Sequence, residues 1–181
     1  MPALPAIAHP GDDVIPDAVM VYSQGRVIDA PPSDVWPWVM QVGKGRGGWY
    51  TPASFEAFMP KSWHATRTIN PAWQNLQPED RVDDYGFSAD DYFIVSEVQP
   101  EEFLVYKSDR YGASFSWALI LHEMTEGGRV KTLLHLRFRG KIAVTGLKKR
   151  LLVTGGGIMD HITTAPMLAG LKERAEHSKA R

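Results

Sequence analysis

Residues 81–139 read RVDDYGFSAD DYFIVSEVQP EEFLVYKSDR YGASFSWALI LHEMTEGGRV KTLLHLRFR. Within this stretch, residues 81–87, 92–98, 103–108, 114–122 and 129–139 are runs rich in β-branched and aromatic side chains. Pleated, half-buried surfaces favour such residues. Turn-forming segments separate them: Ser88-Ala89-Asp90-Asp91, Gln99-Pro100-Glu101-Glu102, Asp109 to Gly112, and the tight Glu126-Gly127-Gly128. Short connections of this chemistry imply an antiparallel meander.

Alternation within the last two runs assigns their faces. Phe115, Trp117, Leu119 and Leu121 share one side of their strand, with Ser116, Ala118, Ile120 and His122 on the other. In the final run, Val130, Thr132, Leu134, Leu136 and Phe138 oppose Lys131, Leu133, His135, Arg137 and Arg139. The apolar sets are expected to meet a covering helix, which leaves His122, His135 and Arg137 facing outward.

Working outward, residues 19–28 read as a further strand, and Pro31-Pro32-Ser33-Asp34 as a helix start with Ser33 or Asp34 as cap. The helix carries Val35, Trp36, Val39, Met40 and Val42, tolerates Pro37 in its first turn, and ends at Gly43. A second short helix is expected near Pro52, with Phe55, Phe58 and Met59 on one side, followed by an irregular stretch over 61–81. Residues 141–177 read as helical, interrupted or kinked by Gly155-Gly156-Gly157 and Pro166. Prolines 2, 5, 10 and 16 make residues 1–17 a flexible arm, so the chain divides into that arm and one domain over 18–178. An antiparallel sheet with one face covered by a terminal helix is an α+β arrangement.

Bulk properties exclude several classes. A chain of 181 residues suits one domain able to bury roughly 70% of its extended surface. A net charge of −1 gives no electrostatic footprint for nucleic acid. The absence of Cys removes disulfides, thiolate metal sites and Cys nucleophiles. Residues 1–13 lack the basic start of a signal peptide, and the uncharged run over 111–122 is too short to span a bilayer, so a cytoplasmic location is expected.

The stretch Ala30-Pro31-Pro32-Ser33-Asp34-Val35-Trp36-Pro37-Trp38-Val39-Met40-Gln41-Val42-Gly43, running on through Gly45-Arg46-Gly47-Gly48-Trp49-Tyr50, resembles the SRPBCC or START-like superfamily. That group includes Bet v 1-like proteins and polyketide cyclases, and the resemblance is to a bacterial branch without an agreed catalytic set. Supporting matches are Ile69-Asn70-Pro71-Ala72-Trp73-Gln74-Asn75-Leu76 with Pro78 and Asp80-Arg81-Val82, then Ser116-Trp117, then residues 167–176. The resemblance implies a helix-grip fold: a curved antiparallel sheet wrapped around a long C-terminal helix, with an apolar cavity between them.

On that reading the chain binds a small hydrophobic molecule, lipid-like or polycyclic. Trp49, Tyr50, Trp73, Trp117 and Met159 are expected as cavity wall or mouth, with Gly45, Arg46, Gly47 and Gly48 as a moving lip. Those glycines spell GxGxxG, but they follow a helix and run into Trp-Tyr-Thr-Pro, which is not the strand–helix setting of a dinucleotide site. Lys44 and Arg46 there are placed to meet an anionic ligand head. An alternative is an aromatase- or cyclase-like enzyme in the same cavity, promoting ring closure by proximity with one acid–base group. His64, Arg67 and Asp160 are its candidate polar groups. A third reading is a partner-binding domain with a filled core.

The acidic pairs Asp83-Asp84 and Asp90-Asp91 read as solvated turn charge, because neighbours in a strand point to opposite faces. The histidines at positions 9, 64, 122, 135, 161 and 177 are scattered. His122-Glu123-Met124-Thr125-Glu126 lacks the second His of a zinc helix, so neither a metal nor any other cofactor is expected. Lys141, Lys148, Lys149 and Arg150 interleave with leucines; a solvated face is the first reading, and peripheral membrane contact the lesser one.

Overall fold

The structure, a computed structural model, describes residues 8–85, 88–142 and 164–177. Its strands are β1 (Met20–Ile28), β2 (Arg81–Asp83), β3 (Tyr92–Gln99), β4 (Phe103–Arg110), β5 (Ala113–Glu126) and β6 (Arg129–Ile142). They form one six-stranded antiparallel sheet in the order β1-β6-β5-β4-β3-β2. The meander is therefore as expected, and β1 closes it by pairing with β6. Two helices, α1 (Pro32–Met40) and α2 (Ala53–Glu56), link β1 to β2 together with two 3-10 turns, Lys61–Trp63 and Pro71–Trp73. A C-terminal helix, α3, covers 164–177.

The two faces of the sheet have separate cores. On the concave face Val95, Leu104, Tyr106, Trp117, Leu119, Leu134 and Leu136 pack with α1 residues Val35, Trp38 and Val39. Met167, Leu168, Leu171 and Ala175 of α3 join them, a stripe at helical spacing. On the convex face Val105, Ala118 and Ile120 form a smaller cluster with Val14 and Phe103. Strand β4 is thus buried on both sides, which explains its unbroken run Leu104-Val105-Tyr106.

Helix α3 is held by close approach as much as by apolar burial. A Cβ at Gly170 would lie 2.6 Å from the Thr51 backbone, so only glycine lets the two segments meet there. One turn on, Arg174 is 3% exposed and every arm of its guanidinium is occupied. Its Nε donates to Thr66 O (2.7 Å), Nη1 to Thr51 O (2.8 Å) and Nη2 to Glu56 Oε1 (2.6 Å). Arg67 Nη2 donates to the other Glu56 oxygen at 2.6 Å. Burial pushes the Glu56 carboxyl up, but the hydrogen bonds from Arg67 and Arg174 outweigh it and hold the group below its ordinary value.

Several local expectations are corrected. Neither Ser33 nor Asp34 caps α1; the N-cap is Pro31, with Pro32 in the first position, where its missing N–H costs nothing. Pro37 consequently lies past the first turn, inside the helix, and α1 ends at Met40 rather than Gly43. Phe58 is 93% exposed and Phe55 57%, so α2 does not bury them. Lys141 and Ile142 extend β6 instead of opening a helix. Phe87, Gly155–Gly157 and Lys148–Arg150 lie outside the described residues. Pro166 lies within the helical stretch 164–177.

Candidate functional site: an aromatic cavity under the terminal helix

Between the concave face, α2 and α3 lies a cavity of about 580 Å³. Pairing across the sheet builds its floor. Trp117 stands opposite Phe138 on β6 and Tyr106 on β4, and Phe115 opposite Gly140 and Ser108. The rings then pack on one another: Phe93 stacks on Trp117 at 5.8 Å, Phe115 on Phe138 at 5.7 Å, and Trp49 meets Trp117 edge-on at 5.1 Å. Gly140 is small where Phe138 leans across it: a Cβ there would lie 3.0 Å from that ring. Met167 and Pro166 of α3 form the roof, and the exposed Phe55 and Tyr85 lie at the rim.

A charged group also lines this cavity. Arg110, the last residue of β4, pairs with Asp84, and its Nη1 stands 3.5 Å from Asp91 Oδ1. Its guanidinium lies over both Phe93 and Phe115, 5.2 Å from each ring centre. Asp84 also accepts from Trp49 Nε1 at 3.2 Å and from the Tyr85 backbone N–H at 2.7 Å. Asp91 is buried, accepting from Ser88 N–H (2.8 Å) and Tyr111 O–H (2.9 Å). Solvated turn charge is therefore the wrong description for one member of each acidic pair. Asp83 and Asp90 do face solvent, but the bond from Asp84 N–H to Asp91 O brings the other two carboxylates together on Arg110.

Among the described residues Trp117 Nε1 is buried without a hydrogen-bond acceptor, and Arg110 Nη1 has only the 3.5 Å ion-pair contact with Asp91. A buried unpaired donor costs free energy that a ligand oxygen can recover.

Trp49, Tyr50 and Trp117 of the expected wall are brought together here. Tyr50 is fully buried and its hydroxyl donates to Trp38 O at 3.0 Å; burial raises its pKa, so it stays a neutral donor. Trp73 is not in the lining: it sits in a 3-10 turn whose carbonyl accepts from Arg46 Nη2 at 2.6 Å. The same guanidinium donates to Met40 O at 3.0 Å, so Arg46 braces α1 instead of reaching for an anion. The glycine loop is pinned rather than free, since Gly43 and Gly48 are bridged. A Cβ on Gly47 would meet the Tyr50 hydroxyl at 2.7 Å. Gly45 has open space around it, and none of the loop residues lines the cavity. His64 is exposed beside Met59 O, and Arg67 is taken by Glu56 and Glu173, both outside the lining. Met159 and Asp160 lie outside the described residues.

Arg110, Asp84 and Phe93 were not singled out by the sequence. For Arg110 a signal existed: it shares its parity along β4 with Leu104, Tyr106 and Ser108, hence with the concave face. For Asp84 none did, because its role depends on the β2–β3 closure.

Among the described residues no helix is long and apolar enough to cross a membrane. No model of a known protein family matches the chain, and no curated protein does. Solved structures do. SA2116 from Staphylococcus aureus, a protein of unknown function, matches with a TM-score of 0.55 and 12% identity, over 90% of this chain and 96% of that one. XoxI from Bacillus cereus gives 0.52 and 10%, over 86% and 94%. The di-domain ARO/CYC protein StfQ of the steffimycin biosynthetic pathway gives 0.52 and 10%, over 94% of this chain and 55% of that one. At such identities the likeness is one of fold, and with the sheet and helix described above it makes this chain an α+β protein with a helix-grip fold.

Proposed function

We propose that the protein binds a small hydrophobic molecule, polycyclic or lipid-like and bearing one oxygen acceptor, in the cavity beneath α3. The observation that carries this reading is an aromatic-walled space of about 580 Å³ with the Arg110 guanidinium over two of its rings. That volume lies inside the range of small-molecule sites, about 300–1,000 Å³, and the composition matches theirs: mostly apolar, with few convergent polar groups. Trp117 Nε1, which has no acceptor among the described residues, supports an oxygen acceptor on the ligand. A pocketless interior would have favoured the third expectation, a structural or partner-binding domain with a filled core.

Native mass spectra of protein from its own host, set beside denaturing spectra, test the reading. A reproducible noncovalent mass that is lost on denaturation, and depleted in Trp117→Ala, is the expected result. Clean apo spectra, together with no quenching of tryptophan fluorescence by a polycyclic aromatic ketone, would sink it.

A second reading, a cyclase-like enzyme in the same cavity, is favoured by the Asp84–Arg110 pair. In an apolar space a carboxylate can take a proton from carbon while an adjacent guanidinium stabilises the oxyanion that forms. Under this reading Asp84→Asn retains the bound substrate mass but loses its conversion. Under the first reading no conversion is seen with either protein.

A further inference from the structure

The convex face carries a group of side chains that the cavity does not use. His9 from the arm, His122 from β5 and His135 from β6 place one ring nitrogen each within 4.8 Å of one another. His122 and His135 are diagonal neighbours, since His122 pairs with Leu133 and Ile120 with His135. The His9 ring meets His135 edge-on at 4.8 Å, and the His122 ring lies 5.9 Å from it. His135 is fully buried, and among the described residues neither of its ring nitrogens has a hydrogen-bond partner. His122 Nε2 is also buried and unpartnered.

A fully buried imidazole with both nitrogens unpaired is a cost that an apolar side chain at the same place avoids. The His135 ring and its neighbours on this face converge on the same point, one ring nitrogen from each of three histidines, and an ion shared there removes the cost at His135 and at His122 Nε2. We propose that His9, His122 and His135 are the ligands of a divalent transition-metal ion that clasps the N-terminal arm onto the convex face of the sheet.

The donor set selects the ion class. Three neutral imidazoles with no carboxylate or thiolate suit zinc, cobalt, nickel or copper, and not the oxygen-seeking calcium or magnesium. Tetrahedral zinc with metal–nitrogen bonds of 2.0–2.1 Å puts its ligand atoms about 3.3 Å apart, so the rings need to draw together by about 1.5 Å at most. His9 and His122 are only partly buried, which leaves a side open for a fourth ligand such as water.

The arm is held in position by neighbours that resemble an outer shell. Asp12 accepts two bonds from Arg137, at 2.6 and 3.1 Å, and one from the His9 backbone N–H at 3.2 Å. Arg139 donates to Ile15 O at 3.0 Å. Gly11 packs so closely on Val105 that a Cβ would lie 2.6 Å from it. Burial pushes the His135 ring down to about 4, which keeps it in the neutral form a metal requires.

The test uses the untagged full chain, stripped with chelator and titrated with Co2+ by visible absorption and with Zn2+ by calorimetry. The expected result is one ion per chain, the intense bands of a non-octahedral cobalt centre, and slower amide exchange over residues 9–15 on zinc addition. His9→Ala and His122→Ala are each expected to lower zinc affinity about 100-fold or more, beyond the 10–100-fold typical of an outer-shell partner. Because His9 lies on the arm, the metal-free fold of His9→Ala is expected to be intact by circular dichroism. Exposed His64→Ala retains binding. Absence of stoichiometric binding in the folded wild type overturns the proposal, and so does wild-type affinity in His9→Ala, since a site without His9 clasps no arm.

Discussion

The two faces of this one sheet solve the same problem in opposite ways. The concave face is mostly apolar and leaves a space; the convex face carries polar rings and is packed shut by a short arm. On the concave side, rings stack at 5–6 Å around a cavity of about 580 Å³ and one cation is held among them. On the convex side, the smaller cluster of Val105, Ala118 and Ile120 is continued by His122, His135 and Arg137 beneath residues 9–15. The contrast shows that strand alternation sets which side a residue faces but not what covers it. Both sides are buried, one by a helix and the other by a segment without regular structure.

The largest effect is expected where the concave cover is anchored. Arg174→Met removes five hydrogen bonds, leaves Thr51, Thr66 and Ala65 carbonyls unpaired, and takes one cation from Glu56. Breaking a buried pair from one side costs about 3–5 kcal/mol, to be read as a fall in urea midpoint. If instead the variant matches the wild type, α3 is held by its apolar stripe alone.

Gly170→Ala comes next. In an ordinary helix interior this change is favourable by about 1 kcal/mol. Here the added methyl meets the Thr51 backbone, and overpacking of that kind costs about 1–3 kcal/mol, so the sign reverses. Chemical denaturation decides it, and cavity occupancy is expected to fall in parallel as α3 lifts.

On the convex side the sign is opposite. His135→Leu replaces a buried ring with two unpaired nitrogens by an apolar side chain, and in metal-free buffer it is expected to stabilise the fold by about 1 kcal/mol. The same variant no longer gains stability from zinc. Destabilisation in metal-free buffer would show that the ring is a satisfied part of the core.

Acid sharpens the contrast further. The Glu56 carboxyl is held below its ordinary value of 4.5 in the folded state. A depressed carboxyl contributes stability that is complete above the ordinary value and is lost as pH falls through the folded one. The wild type is therefore expected to lose its advantage over Glu56→Gln on titration from pH 5 to pH 3. A difference that stays constant over that range would mean Glu56 is not the charged partner of Arg174.

Much of the fold was legible because periodicity is a local property. The spacing of residues 92–139 and the tight turn at Gly127-Gly128 fix strands and their order, and β4 to β6 appear with ends displaced by a few residues only. Alternation placed Trp117, Leu119, Leu134 and Leu136 on one face and His122 and His135 on the other, as the core clusters and the register show. Trp49 and Tyr50 followed from a motif. The rest was not legible, because it depends on pairs far apart in the chain. Asp84 was read as turn charge, and only β2–β3 pairing turns it toward Arg110. Arg46 was assigned to a ligand head, and only the folded loop shows it bonded to Met40 and Trp73.

The sequence alone therefore determined the α+β class, the meander and the sides of its strands, since each rests on the character of residues within a few positions of one another. Tertiary structure alone decided the Arg110–Asp84–Asp91 group, the Gly170–Thr51 contact and the three histidines at positions 9, 122 and 135. Those join segments up to 126 residues apart in the chain (from 9 to 135), and no local pattern encodes a meeting that exists only once strands, arm and helix have packed.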